Sequence, residues 1–174
     1  LFFLLAMSLL IFCKLDDLHN EADVEHLFIC RLLESLQYPD DSIRPKESLS
    51  SLVVGGIRGM PQGEYKPDFA LKKQRRIRWI IEAKAPSEPL DRHVWQPKGY
   101  CMLLNGEYRD LNPTKYFLLT NGRKTRLYHW DRNAPELELE FADFQEGNNK
   151  YSALKKYLEW RNLQADQDNV HIMV

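Results

Sequence analysis

The stretch from Lys66 to Lys84 constrains this chain most. It reads Lys-Pro-Asp-Phe-Ala-Leu, then a basic turn Lys-Lys-Gln-Arg-Arg, then Ile-Arg-Trp-Ile-Ile-Glu-Ala-Lys. An Asp opens the first apolar run and a Glu-x-Lys closes the second. Trp79, Ile80, Ile81 and Ala83 make the second run continuous, the pattern of a strand covered on both faces. Side chains alternate along a strand, so Glu82 and Lys84 share one face and Ala83 takes the other. An isolated Glu-x-Lys fits a solvated surface pair, but charges at the end of a buried run need partners or a metal.

The spacing predicts strands over 65–72 and 77–83. Lys72, Lys73, Arg75, Arg76 and Arg78 crowd the turn between them. Such a run is either a solvated hairpin tip or, beside an anionic polymer, a source of sequence-independent phosphate contacts. Upstream, a helix is predicted from about Asn20 to Gln37, with Asn20 as N-cap, Asp23 in the first turn and Tyr38-Pro39 as the stop. At about 100° per residue, Val24, Phe28, Ile29, Leu32 and Leu36 form its inward stripe. Glu21 and Glu25 fall inside that stripe, whereas Asp23, His26 and Glu34 project outward; His19 and His26 read as surface residues. The inward acids have two available roles: capping the edge of the core or pairing with an Arg, or completing an acidic site built by other elements.

A short strand is expected over Ile43 to Leu49, followed by a flexible loop containing Gly55, Gly56, Gly59 and Gly63. Their spacing matches neither GxxxxGK[ST] nor GxGxxG, so the chain carries no ATP site of that kind. After Ala85-Pro86, a helical segment places Gln96 and Tyr100 on one face. Pro97 and Gly99 disfavour an undisturbed helix interior there, although Pro97 fits a first turn with Gln96 near the N-cap. Tyr116 to Thr120 reads as a buried strand, Asn121-Gly122 as a tight turn and Thr125 to Trp130 as the partner strand. Phe141 and Phe144 lie in an acidic connection, and Tyr151 to Trp160 has helical periodicity through Leu154 and Leu158.

With 174 residues, 44% hydrophobic and 28% charged, the chain is long enough for one globular domain with a real core. A formal net charge of −1 does not announce a nucleic-acid binder, so any such role must rest on local charge. Cys13, Cys30 and Cys101 are widely spaced and lack a CxxC setting; they are expected to be buried thiols in a reducing, cytoplasmic compartment. Leu1 to Cys13 is apolar, but shorter than the roughly 20 residues that span a bilayer and without a basic n-region, so no membrane role is expected. Three readings compete for it: a clipped signal sequence, a first strand or helix, or residues translated upstream of a start at Met7. The expected organisation is an apolar extension over 1–18, with 1–6 from upstream translation, a domain over 19–162, and a polar tail or linker over 163–174.

In order, Asn20-Glu-Ala-Asp-Val-Glu25, Lys66-Pro-Asp-Phe69, Ile81-Glu-Ala-Lys-Ala-Pro86, Gln96-x-x-x-Tyr100 and Leu119-Thr-Asn-Gly122 resemble the N-terminal nuclease domain of type I restriction enzyme R subunits. That domain is a QxxxY-containing branch of the PD-(D/E)xK nuclease superfamily. The resemblance covers roughly Asn20 to Trp160. It implies an α/β fold, a restriction-endonuclease-like core with a central mixed β-sheet flanked by helices. It also implies Mg²⁺-dependent hydrolysis of phosphodiester bonds in DNA, with Mn²⁺ as a substitute.

Under that resemblance Asp68, Glu82 and the Ala83 carbonyl ligate the metal, joined by Glu21 from the first helix, with Glu25 as the rival acid. Lys84 orients or helps deprotonate the attacking water, or stabilises the charge developing on the phosphorane. Gln96 and Tyr100 position DNA or the active-site residues, and Lys72, Lys73, Arg75 and Arg76 contact DNA phosphates. Whole R subunits also carry a helicase-type translocase and work with methylation and specificity subunits. This chain is too short for motor domains, so the resemblance implies either a nuclease segment of a longer protein or a stand-alone relative. Two other classes stay open: a non-catalytic nucleic-acid-binding or assembly module that kept the fold, and a structural domain whose acids pair with its own arginines.

Overall fold

The apolar run over 77–83 becomes the middle of the molecule. In the computed structural model, which describes residues 12–49, 65–106, 108 and 111–163, it forms strand β3 (Arg76–Ala83), buried from Ile77 to Ala83. Strands β1 (Ile43–Pro45), β2 (Phe69–Lys73), β4 (Tyr116–Thr120), β5 (Lys124–His129) and β6 (Leu137–Glu140) complete a six-stranded sheet in sequential order. Neighbours pair antiparallel except β3 and β4, which are parallel. A parallel pair requires a crossover, and this one carries helix α2 (Trp95–Gly106).

Strand alternation divides β3 between two cores. Trp79, Ile81 and Ala83 face a layer containing helix α1 (residues 21–35) and helix α3 (Asn149–Leu158). Ile77 and Ile80 face Tyr100, Cys101 and Leu104 of α2. The fold is therefore α/β, a mixed central sheet with helices on both faces. Trp79 is fully buried, and its indole N–H donates to the Tyr38 hydroxyl (2.6 Å), which donates to the Leu158 carbonyl (2.7 Å). That chain of bonds satisfies the buried polar atoms and ties β3 to both helices of its layer.

Helix α1 follows the predicted stripe. Val24, Phe28, Ile29, Leu32 and Leu36 are all fully buried, and Asn20 and Asp23 close a reciprocal capping box at its start. Its middle, Val24–Ile29, is π-helical: the Cys30 N–H donates to the Glu25 carbonyl, five residues back. Phe12 and Leu18 pack into the same core, Phe12 against the rings of Phe28, Phe144 and Tyr151.

Several expectations change. The strand expected over Ile43 to Leu49 ends at Pro45, because Lys46 turns into the left-handed region (φ +47°). Strand β6 was not anticipated, and Phe141 and Phe144 are core residues in and after a short 3₁₀ turn. Of the three cysteines expected to be buried, only Cys101 is; Cys13 is half-buried and Cys30 lies exposed on the solvent side of α1. The glycine-rich loop over 55–63, residues 1–11 and the tail over 164–174 lie outside the described residues. No helix among the described residues is long and apolar enough to cross a membrane.

The Asn121-Gly122 turn joins β4 to β5 as predicted, and its geometry favours glycine at position 122. It adopts φ +79°, and a Cβ would lie 2.5 Å from Leu18 Cδ1 and 3.3 Å from Val24 Cγ2. Gly122→Ala is expected to lower unfolding stability by roughly 2–4 kcal/mol, through left-handed strain plus overpacking. Urea unfolding checks it; an unchanged midpoint would show that the turn and the start of α1 yield freely.

Candidate active site

The sheet topology gathers the charges seen in sequence at one end of the strands. Phe69 pairs with Ile81 across antiparallel β2 and β3, so Asp68 at the mouth of β2 lies beside Glu82 near the end of β3. Ala83 pairs with Thr120 at the end of parallel β4. The Lys84 N–H donates to the Thr120 carbonyl (2.8 Å), and Asn121 Nδ2 donates to the Glu88 carbonyl (2.8 Å). The Thr120-Asn121 turn thus holds the segment leaving β3.

Helix α1 brings its N-terminal acids to the same end. Glu21, Glu25 and Asp68 each offer a carboxylate oxygen within 4.8 Å of the others. Glu25 and Asp68 are buried and Glu21 half-buried. One Asp68 oxygen accepts the Ala83 N–H at 2.7 Å, which fixes the carboxylate. This cluster could hold a metal ion.

Glu82 is almost fully buried. Its Oε1 accepts from Lys84 Nζ at 2.7 Å, while the inaccessible Oε2 has no hydrogen-bond partner among the described residues. Burial and the Asp68 charge push its carboxyl up to about 7, against the hydrogen bond and charge of Lys84. Burial likewise raises Asp68, opposed by the Ala83 N–H and reinforced by the Glu25 charge. Burial acts to lower Lys84, but its bond to Glu82 and the surrounding carboxylates outweigh this, so the ammonium is held more firmly than usual.

Four carboxylates (Glu21, Glu25, Asp68 and Glu82) share this end with two bound ammonium groups, those of Lys84 and Lys46. The converging carboxylate oxygens of Glu21, Glu25 and Asp68, with the buried Glu82 carboxyl beside them, suit a hard divalent cation. The donor set therefore fits such an ion. Lys46 was not foreseen. Its ammonium lies 2.9 Å from Glu25 Oε1, and its backbone N–H donates to the Asp68 carbonyl. No local pattern signals it, because the contact arises from β1 pairing with β2.

Gln96 and Tyr100 lie one turn apart on α2 and are hydrogen-bonded, Nε2 to OH, at 3.0 Å. The helix is undisturbed: Pro97 sits in its first turn, and a Cβ at Gly99 would meet nothing within 4 Å. The charges of Glu82, Lys84 and Asp68 all act on the Tyr100 hydroxyl, so the pair borders the acidic cluster. The Tyr65 ring meets Tyr100 edge-on, with centroids 6.5 Å apart.

Lys72, Lys73, Arg75 and Arg76 are not brought to this end. They occupy the hairpin at the opposite ends of β2 and β3. Lys73 Nζ donates to the Trp160 and Leu163 carbonyls, both at 2.7 Å, and lies over the Trp160 ring. Arg76 stacks over Tyr108. Gln74 and Arg75 form a two-residue turn with positive φ at both positions, buttressed by Arg78 bonds to the Lys73 carbonyl and the Gln74 side chain. Arg75 is exposed at the tip.

The class defined by this architecture is an α/β domain with a carboxylate cluster and a lysine at one end of a mixed sheet. No family model and no curated protein matches the chain. Among solved structures it resembles a chain in the cryo-electron-microscopy structure of a DrdV–DNA complex, with a TM-score of 0.50 and 16% identity, covering 84% of this chain and 90% of that one. At that identity the likeness concerns the fold alone, an α/β mixed sheet compatible with the core that the family resemblance implies.

Proposed function

We propose that this chain is a divalent-metal-dependent nuclease that hydrolyses phosphodiester bonds in DNA. The observation that carries this is the Glu82–Lys84 pair, with an unpartnered buried carboxylate oxygen, set beside the converging carboxylates of Glu21, Glu25 and Asp68. Mg²⁺, or Mn²⁺ in its place, would be held by Asp68, Glu21 and Glu25 with Glu82 and the Ala83 carbonyl, and would polarise the scissile phosphate and acidify a bound water.

The protein's own groups do the rest. Lys84, steadied by Glu82, orients the attacking water or balances the charge that grows on the phosphorane oxygens. The Ala83 N–H keeps Asp68 aimed, and the Gln96–Tyr100 pair borders the place where the DNA strand lies. The basic hairpin, remote from the acids, serves flanking phosphates. The DNA in the DrdV structure and the ordered motifs shared with type I R subunits support DNA as the substrate. On the sequence resemblance to type I R subunits, the chain would act as the nuclease part of such a subunit, working with a helicase-type motor and methylation and specificity subunits, or as a stand-alone relative.

Purified protein with Mn²⁺ is expected to nick supercoiled plasmid. Asp68→Asn, which keeps an acceptor for the Ala83 N–H, is expected to weaken Mn²⁺ binding at least about tenfold in calorimetry and to abolish nicking. Wild-type protein that binds no Mn²⁺ and cuts no DNA would overturn the proposal in favour of a non-catalytic DNA-binding module.

A further inference from the structure

Among the described residues, Lys46 is the cation bonded to the Glu21–Glu25–Asp68 cluster. Its ammonium is 2.9 Å from Glu25 Oε1, and the charges of Glu25, Asp68 and Glu21 all act on it. Two features show that it is placed there by construction. Its backbone takes φ +47°, a conformation that costs a non-glycine residue free energy, and its N–H is pinned to the Asp68 carbonyl at 2.9 Å. The partner carboxylate is only 6% exposed, yet the lysine side chain is 57% exposed. The ammonium therefore reaches a buried acid from the solvent side and is free to leave along the path by which it arrived.

We propose that Lys46 is an exchangeable counter-ion: it neutralises Glu25 while the site lacks metal, is displaced when a divalent cation binds, and then contacts a phosphate of the bound DNA strand. This rests on the metal-dependent nuclease reading. A lysine ammonium and a divalent cation compete for the same carboxylate oxygen, so each weakens the binding of the other. Once Glu25 serves the metal, the ammonium loses its bonded carboxylate. The Lys46 backbone N–H stays bonded to the Asp68 carbonyl, which keeps the residue at the edge of the site. The nearest available anion is then a DNA phosphate, and a lysine suits it as a mobile point charge.

The test uses Lys46→Asn, because asparagine tolerates the left-handed backbone and removes the charge, and Lys46→Arg, which keeps a cation. Melting curves first show that both fold. Calorimetric titration with Mn²⁺ alone is expected to give about three- to tenfold tighter binding for Lys46→Asn than for wild type, and little change for Lys46→Arg. Anisotropy of labelled duplex DNA with Mn²⁺, in a slow-cutting Lys84→Ala background, is expected to show weaker binding for Lys46→Asn. The slope of log affinity on log salt should be shallower by about one. Unchanged or weaker Mn²⁺ binding overturns the displacement, and an unchanged salt slope overturns the phosphate contact. If wild type binds Mn²⁺ and cuts DNA in either case, only the role of Lys46 fails; if wild type binds no Mn²⁺, both readings fall.

Discussion

Lys84→Ala is expected to lower metal-dependent DNA cleavage by roughly 10²–10³-fold while the protein stays folded and still binds Mn²⁺. The expectation follows from where the ammonium sits. Its side chain is 12% exposed and 2.7 Å from Glu82 Oε1, at the end of a strand whose backbone is fixed by β4, so in the proposed reaction it would meet the phosphate already oriented. Removing it leaves Glu82 with no partner on either oxygen among the described residues, which would be costly if the carboxylate stayed ionised. Glu82 escapes that cost by holding its proton to higher pH, so the fold survives. Lys84→Arg is not expected to rescue, because a planar fork does not reproduce a point charge in a half-buried slot. Single-turnover cleavage with saturating DNA separates chemistry from binding; equal rates for wild type and Lys84→Ala would remove the lysine from the reaction.

The second large effect is on stability against pH. Glu82 keeps its proton in the folded protein up to about pH 7, whereas the ordinary value is 4.5. Between these values the folded state holds a proton that the unfolded chain has released. Stability from this group is therefore complete below pH 4.5 and is lost as pH rises through about 7, on the order of 3 kcal/mol in all. The raised Asp68 acts in the same direction. A divalent cation needs the ionised carboxylates, so it reverses the trend where it binds. Melting temperature without metal should fall between pH 5 and 8, and the rise produced by Mn²⁺ should grow over that range. Glu82→Gln should flatten the metal-free profile; a flat wild-type profile would mean that Glu82 titrates as in solution.

Much of this was legible in sequence because it depends on neighbours along the chain. The stripe of α1 appears as spaced, since helical period and burial are local matters. The apolar run of β3, the Asn121-Gly122 turn and the four-residue spacing of Gln96 and Tyr100 likewise carry their geometry in their own residues. The two acids of α1 were seen to face inward, and the structure brings both to Asp68, so the choice between Glu21 and Glu25 was not one the cluster makes. Strand β6 is not legible in sequence because Leu-Glu-Leu-Glu is short and takes its strand character from pairing with β5. The π-helical turn and the exposure of Cys30 depend on how α1 settles on the sheet.

By itself the sequence determined the central strands and the three helices, and which charged residues lie where burial makes charge expensive. Only the tertiary structure decided which charges meet. Register across β2 and β3 set Asp68 beside Glu82, the parallel pairing of β3 with β4 anchored Lys84, and the hairpin carried the basic turn away from the acids. Lys46 reached Glu25 through β1, a strand with little signal of its own. Periodicity is a property of adjacent residues, whereas the electrostatics of a site fall off with distance in space, and that distance is settled only when the sheet closes.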